Sequence, residues 1–187
     1  MNIIRKIYAF LIDTIESILI AASIFLVIYI FLFRPFQVTG ESMYPNFHDK
    51  EYVLTNLITL RFHDPQRGDV VVFQAPPAPD KDFIKRVIGE PGDTIMLKDG
   101  NVYVNGKLYD ENSYLASDIK TYGGSFLHDG QAVIVPGESY FAMGDNRLQS
   151  SDSREWGFVP KTKVIGLSFF SYWPLNQMHL IKNPFKK

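Results

Sequence analysis

A long uncharged segment near the amino terminus limits what this chain can fold into. From Ser17 to Phe33 (SILIAASIFLVIYIFLF) no residue carries a charge, and Glu16 and Arg34 bound the run. As an α-helix this segment rises about 25 Å, and one further turn at headgroup level brings it near the roughly 30 Å hydrocarbon core of a bilayer. A helix that is apolar on every side could hardly be enclosed by a domain as small as the rest of this chain. We therefore predict a membrane-spanning helix rather than a buried core helix.

A cleaved signal peptide is the other structure that such a segment could form. Its apolar region would be shorter, and the residues that follow here (RPFQVTGES) lack an exit site of the A-x-A type. Arg5, Lys6 and the terminal amine precede the segment, whereas only Arg34 directly follows it, which favours a cytoplasmic amino end. We expect residues 1–34 to form a cytoplasmic stub and a single-pass anchor in the cell membrane. Residues 35–187 would then form one extracytoplasmic domain.

The composition argues against several kinds of function. The chain has 19 basic and 20 acidic residues and a formal net charge of -1, so no overall positive field attracts nucleic acid. It has no cysteine, which excludes thiol catalysis, disulfides and thiolate metal sites. The histidines lack the i, i+4 spacing of a zinc-binding helix; they are His48, His63, His128 and His179. We expect no nucleic-acid partner, no metal and no other cofactor.

Beyond Pro35 the sequence pattern is typical of β-structure. Runs such as YVLTNLITL, RGDVVVF and KVIGLSFFSYWPL read as strands, and the proline-rich QAPPAPDKD (residues 74–82) is predicted to be a surface loop outside any ladder. The hairpin signals Asp99-Gly100 and Asn105-Gly106 bracket NVYV, so residues 94–110 are predicted to form a three-stranded meander. The predicted fold is mainly β, with coiled antiparallel sheets and one amino-terminal transmembrane helix.

The strand-like segment FIKRVI, residues 83–88, places a cation among apolar side chains. Phe83, Lys85 and Val87 would share one face of a strand, and Arg86 would lie on the other face. Lys85 could be a plain edge-strand lysine with its amine in solvent. If it is instead desolvated, burial can lower a lysine pKa by roughly 3 to 5 units, enough to make the amine a general base for a serine hydroxyl.

A polar loop lies between two apolar strands near the carboxyl end. GDNRLQSSDSREWGFVP, residues 144–160, crowds acids, arginines and serines together. Such a cluster could be a solvated loop. Its glycines, tryptophan and proline favour an ordered element in which aspartate and arginine side chains pair.

Together with the anchor, four short motifs in this chain resemble those of the type I signal peptidases. A Ser-Met-x-Pro box occupies residues 42–45, and an Arg-Gly-Asp box occupies residues 67–73. A lysine box of the form Lys-Arg-x-x-Gly-x-Pro-Gly-Asp occupies residues 85–93. The last box, Gly-Asp-Asn-Arg-x-x-Ser-x-Asp-Ser-Arg, matches residues 144–154 at every defined position. The four boxes occur in the family order, and this combination is highly specific.

The resemblance implies a role for each matching residue. Ser42 would be the nucleophile, Lys85 its general base, and Ser150 the hydroxyl that orients the lysine amine. Four charged residues would brace the site: Asp145, Asp152, Arg86 and Arg154. Six apolar residues would form shallow pockets for small substrate side chains: Phe36, Val38, Met43, Val72, Phe83 and Ile84. The backbone N–H of Ser42 would help to hold the oxyanion, and Gly40 stands where some family members have a serine hydroxyl, so its own contribution stays open.

The implied function is a membrane-bound serine endopeptidase that removes amino-terminal signal peptides from exported preproteins. It would cut after a small-x-small motif through an acyl-enzyme, and its partners would be signal peptides, the lipid bilayer and, by proximity, the export translocon. A self-cleaving repressor shares the Ser-Lys chemistry but needs a DNA-binding head where this chain has an apolar segment. A tethered β-rich binding module remains an alternative. A Ser-His-Asp hydrolase is disfavoured because GESMY lacks the second glycine of G-x-S-x-G.

Overall fold

One long helix precedes a β-rich body in this protein. The computed structural model describes residues 3–186, apart from the side chains of Ile28, Ile30 and Phe31. The helix α1, Ile3–Leu32, is 30 residues long and so rises about 45 Å. It begins well before the uncharged run on which the prediction was based.

The helix α1 contributes little to the core of the body. Its segment Ile3–Val27 is long and apolar enough to cross a membrane, and 0% of the apolar window is buried against the rest of the chain. The alternative of a buried core helix is therefore wrong. An exposed apolar helix at the amino terminus is consistent with a membrane anchor.

The described part of the chain contains twelve strands, a second short helix and three single-turn 3₁₀ segments. The strands are β1 Phe33–Gln37, β2 Tyr52–Asn56, β3 Val70–Ala75, β4 Ala78–Gly89, β5 Thr94–Lys98, β6 Asn101–Val104, β7 Lys107–Leu108, β8 Ala132–Ile134, β9 Ser139–Met143, β10 Val159–Pro160, β11 Val164–Trp173 and β12 His179–Leu180. The short helix α2 is Ser153–Trp156, and the 3₁₀ segments are Thr59–Arg61, Lys161–Lys163 and Leu175–Gln177.

The strands form two antiparallel sheets, which confirms the predicted mainly β fold. The larger sheet has the order β1-β2-β11-β3-β4-β9-β10, with β12 paired to β11. The smaller sheet has the order β7-β6-β5-β8. Strand β4 pairs with β3 on one side and with β9 on the other, so it lies in the interior of the larger sheet.

The predicted meander at residues 94–110 is confirmed as the strands β5, β6 and β7. Asp99 and Asn105 both have φ of 53°, and Gly100 and Gly106 follow them with φ of 74° and 75°. Two successive residues with positive φ are what a tight two-residue hairpin turn requires, and Asp-Gly and Asn-Gly supply them with little strain.

The prediction of a surface loop at residues 74–82 is wrong. The strands β3 and β4 form a hairpin there, with Gln74 opposite Asp82 and Ala75 opposite Ala78. Two of the prolines occupy the turn between the strands, and Pro79 lies where the register shifts, so it replaces no regular ladder hydrogen bond.

Three clusters of buried side chains stabilise the body. One lies around the smaller sheet and includes Ile95, Leu97 and Phe141. A second lies on the larger sheet around Phe73. The third consists of Val38, Met43, Phe47, Val53 and Val70, and it packs beneath the loop that connects β1 to β2.

Candidate active site

Ser42 lies in the loop between the paired strands β1 and β2. The Val38 N–H donates to the Glu51 carbonyl at 2.7 Å, and the Lys50 N–H donates to the Val38 carbonyl at 2.8 Å, so the loop is closed at its base. Met43 is 0% exposed and packs into the third core cluster. Because its neighbour is fixed in this way, the half-buried Ser42 is held on an ordered turn rather than a mobile one.

Lys85 projects from the middle of β4 towards this turn. Its Nζ lies 2.7 Å from the Ser42 Oγ and donates a second hydrogen bond to the Ile84 carbonyl at 3.1 Å. The Nζ also lies 5.2 Å from the centre of the Phe83 ring. Two residues that are 43 positions apart in the sequence are therefore in direct contact.

Lys85 is desolvated in the structure. The alternative interpretation, an edge-strand lysine with its amine in solvent, is wrong. Lys85 is 4% exposed and Arg86 is 3% exposed, so neighbours cover both faces of β4 at this point. The sequence required only one of the two cations to point inward. The structure buries both because β4 is an interior strand.

Burial changes the acid–base properties of the Lys85 amine. Removal from water lowers the pKa of Lys85 from 10.5 to about 8, although the carboxylates of Asp152 and Asp145 oppose this shift. At pH 7 about a tenth of the amines are then neutral, compared with roughly 0.03% for an ordinary lysine. The free energy needed to form the neutral amine therefore falls by about 3 kcal/mol.

The two carboxylates near Lys85 each have an arginine partner. Arg86 donates to both Asp145 oxygens at 2.9 and 2.6 Å, and Arg154 donates to both Asp152 oxygens at 2.8 Å. All four side chains are buried. Burial disfavours the charge on Arg86, but Asp145 outweighs it and raises the pKa of Arg86. For Lys85, burial outweighs the two paired carboxylates, so its pKa stays below the ordinary value.

Asp152 also orders the polar loop. Its side chain accepts from the Arg154 N–H at the start of α2 and from the Gly144 N–H at 3.0 Å. Gly144 lies so close to Ser42 that a Cβ built on it would be 2.3 Å from the Ser42 carbonyl oxygen and 2.1 Å from the Ser150 Oγ. The loop was predicted to be ordered, and these contacts give the reason.

Ser150 does not make the hydrogen bond to the Lys85 amine that the family resemblance implied. Its side chain is buried and close to Ser42 across Gly144, but its Oγ has no hydrogen-bond partner among the described residues. The second hydrogen bond of the Lys85 amine goes to the Ile84 backbone carbonyl instead.

Gly40 and Ser42 differ in the availability of their backbone N–H groups. The Gly40 N–H donates to the Asp49 carboxylate at 2.7 Å, so it is already engaged. The Ser42 N–H has no acceptor among the residues that the structure describes. Gly40 has φ of +79°, a left-handed conformation that glycine adopts without strain.

Asn146 is a residue to which the sequence assigned no role. Its N–H donates to the Ser42 carbonyl at 3.0 Å, and its Nδ2 donates to the Glu41 carbonyl at 3.0 Å. Asn46 makes a further link, because its Nδ2 donates to the Asp145 carboxylate at 2.8 Å. These bonds join the turn that carries Ser42 to the polar loop. The membership of Asn146 in the last sequence box was the only signal that could have identified it.

A groove of about 520 Å³ opens beside the Ser42–Lys85 pair. Ser42, Lys85 and Ser151 line it, together with five of the six apolar residues predicted for the substrate pockets: Phe36, Val38, Val72, Phe83 and Ile84. Met43 is the exception. Its side chain faces the core beneath the turn, because neighbouring residues of a turn point to different sides. The assignment of Met43 to a substrate pocket is therefore corrected.

Comparison with known proteins gives consistent matches over most of the chain. The family described as "Signal peptidase, peptidase S26" matches residues 11–173. Signal peptidase I S of Bacillus subtilis is 39% identical over 167 residues, which are 87% of this chain and 89% of the relative. Signal peptidase IB of Staphylococcus aureus is 34% identical over 185 residues, which are 93% of this chain and 95% of the relative. Among solved structures, a signal peptidase I from Enterococcus faecalis is 30% identical with a TM-score of 0.45, and the match covers 56% of this chain and 97% of that one.

Proposed function

The chain belongs to the S26 family of signal peptidases and is therefore a peptidase, and from this premise we propose that it cleaves signal peptides with a Ser42–Lys85 dyad. The observation that carries the proposal is the 2.7 Å contact between the Ser42 Oγ and the Nζ of a buried lysine. Family membership leaves no support for the two alternatives of a self-cleaving repressor and a tethered binding module.

The neutral form of Lys85 acts as the general base. Its lone pair accepts the Ser42 hydroxyl proton while one of its two N–H groups donates to the Ile84 carbonyl. The serine oxygen then attacks the scissile carbonyl carbon. The proton now held as an ammonium on Lys85 passes to the departing amine, and an ester with Ser42 remains.

Deacylation uses the same base. Once the leaving polypeptide has departed, Lys85 takes a proton from a water molecule, and the resulting hydroxide attacks the ester carbonyl. The proton returns to the Ser42 oxygen when the ester breaks, which restores both residues. Lys85 is the proton acceptor in both steps. Asp145 and Asp152 stay paired with their arginines and accept no proton.

The oxyanion is held by the Ser42 N–H, and Asn146 sets the direction of that N–H. A trans peptide unit is planar, so its C=O and N–H point in opposite directions. The Asn146 side chain binds the Glu41 carbonyl of this unit, and this contact fixes where the Ser42 N–H points. A donor that is already oriented needs no reorganisation as charge develops on the substrate oxygen.

The apolar groove selects small side chains before the cut. Val38 and Val72 are both buried, so the walls that they form cannot recede to admit a larger side chain. A large substrate side chain would overlap with these walls, whereas Ala, Gly or Ser would fit. We therefore assign to this groove the recognition of a small-x-small motif.

The amino-terminal helix serves to hold the enzyme beside its substrates. In this proposal residues 1–34 form the cytoplasmic stub and anchor, and residues 35–187 form the extracytoplasmic peptidase domain near the export translocon. In the structure β1 already begins at Phe33, so the helix passes directly into the larger sheet. A preprotein whose signal helix lies in the same bilayer is then present at high effective concentration.

The proposal is tested by incubating a precursor with the wild type, Ser42→Ala and Lys85→Met forms and sequencing the new amino terminus. We expect cleavage after a small-x-small triplet by the wild type, and a loss of at least about a thousandfold in both variants. Efficient processing by either variant would refute the dyad.

Two controls make the result specific. Lys98→Met alters an exposed lysine at the end of β5 and should leave the rate unchanged. A precursor with Leu in place of the small residue directly before the cut should resist the wild-type enzyme. If that precursor were processed as well as the parent, the assignment of the groove would fail.

A further inference from the structure

A second groove lies beside the turn that carries Ser42. It has a volume of about 380 Å³ and is lined by Glu41, Tyr44, Leu115, Ile119, Asn146 and Leu148, among others. Tyr44, Ile119 and Leu148 are 47%, 39% and 73% exposed. Its wall is therefore apolar and open to solvent.

The two grooves meet at the Glu41–Ser42 backbone. Ser42 lines the first groove, and Glu41 lines the second. Asn146 lines the second groove and also binds the carbonyls of both Glu41 and Ser42, so this wall is joined rigidly to the nucleophile. The second groove is therefore adjacent to the residue at which a bound polypeptide would be cut.

A polypeptide with its scissile carbonyl at the Ser42 Oγ has to leave the site in two directions. The part before the cut lies in the first groove, so the part after the cut must run away from it. An extended chain rises about 3.3 Å per residue, so the first three residues after the cut span about 10 Å. The second groove begins one residue from the nucleophile and is within that reach.

The charges around the second groove favour some side chains over others. Asp145 and Arg147 contribute to its lining, but each is paired, with Arg86 and Glu111 respectively. Glu41 forms no ion pair within the described part of the chain. The groove therefore has one uncompensated negative charge beside an apolar wall, which suits apolar or basic side chains and repels acidic ones.

We propose that this second groove binds the first residues of the mature protein, directly after the cut, and makes the enzyme select against acidic side chains there. The inference rests on the proposed function, because it needs Ser42 to be the nucleophile. It adds a specificity site formed by Leu148, Tyr44 and Glu41 to the groove that recognises the signal peptide.

The test uses one precursor in three forms, which differ only in the three residues after the cut: leucines, aspartates or lysines. The kcat/KM of the full-length wild-type enzyme should be about tenfold higher for the leucine form than for the aspartate form. Leu148→Asp should lower kcat/KM for the leucine form about tenfold, since the apolar contact between Leu148 and a bound substrate leucine is lost. The matched control is Leu108→Asp, which alters a leucine on β7 of the smaller sheet that is 61% exposed, and this variant should leave kcat/KM unchanged for all three forms.

A charge reversal makes the test independent of folding. Glu41→Lys should shift the ratio of kcat/KM for the aspartate form to that for the lysine form by at least about fivefold in favour of aspartate. A destabilised enzyme would lose activity on all forms equally, so it could not produce this shift.

Suppose that the relative kcat/KM values for the leucine, aspartate and lysine forms are the same in Leu148→Asp and Glu41→Lys as in the wild type. The groove then does not bind this part of the substrate. A changed oligomeric state in Leu148→Asp with unchanged ratios would mean that a second copy occupies it, which overturns the proposal as well. Failure of the wild type to cleave any form would instead refute the proposed function.

Discussion

Replacing Lys85 with methionine should abolish activity and, at the same time, stabilise the protein near neutral pH. Lys85 is 4% exposed, and burial lowers its pKa from 10.5 to about 8. Each pKa unit corresponds to about 1.4 kcal/mol, so the charged amine costs the folded state about 3 kcal/mol at pH values below 8. Methionine has a similar length and no charge. It removes this cost but gives up the hydrogen bonds to Ser42 and to the Ile84 carbonyl, each worth about 1 kcal/mol, so the net gain should be about 1 kcal/mol.

The sign of the effect depends on pH in a defined way. Because the folded pKa of Lys85 lies below its unfolded value of 10.5, the unfolded chain binds more protons between about pH 8 and pH 10.5. The wild type therefore gains stability across this window as pH rises. Lys85→Met lacks the group and gains nothing, so its stability relative to the wild type should fall by about 3 kcal/mol between pH 7 and pH 10.5, and the variant should be the less stable protein at the upper end.

Urea unfolding of the full chain in detergent micelles, followed by tryptophan fluorescence at several pH values, measures this difference. Lys98→Met is the control, because its exposed lysine on β5 should give a difference from wild type that does not change with pH. If Lys85→Met were no more stable than the wild type at pH 7, and the difference stayed flat up to pH 10.5, the buried cation would not carry the cost derived above.

Three further predictions concern the rate and its pH dependence. The kcat/KM should rise about tenfold per pH unit up to about pH 8 and then level off, and a profile without an acid limb near that value would contradict the role of Lys85. Arg154→Met should raise the pKa of Lys85, because Asp152 loses the cation that offsets its charge, and the acid limb should move above pH 8; an unmoved limb in a folded variant would count against this electrostatic coupling. Gly144→Ala should reduce kcat at least about a hundredfold, because the new Cβ would lie 2.3 Å from the Ser42 carbonyl oxygen, and near-normal kcat in this variant would show that the turn is not held as described.

Local signals in the sequence predicted much of the fold. Asp99 and Asn105 each precede a glycine, and the backbone there needs positive φ, so the meander could be placed before the structure was known. The alternation of FIKRVI located a strand with a cation among apolar residues. Which neighbours cover each face is a tertiary property, and the sequence could not show that both Lys85 and Arg86 are buried.

The candidate site was predicted less completely than the fold, because part of it depends on contacts within loops. Met43 follows Ser42 directly, and in a turn no periodicity tells which side chain faces the core. The Asp49 carboxylate takes the Gly40 N–H, and Asn146 holds the peptide before Ser42. Hydrogen bonds of this kind join a side chain to a distant backbone group and leave no pattern in the sequence.

The most direct measurement is an NMR titration of the Lys85 side chain in the full-length enzyme, with labelled lysine and with Lys85→Met to identify the signal. We expect the amine to titrate near pH 8, because its position on β4, against the turn that carries Ser42, keeps it buried and so lowers its pKa. A midpoint near the ordinary value of 10.5 would mean that the amine stays charged at neutral pH and cannot accept the serine proton.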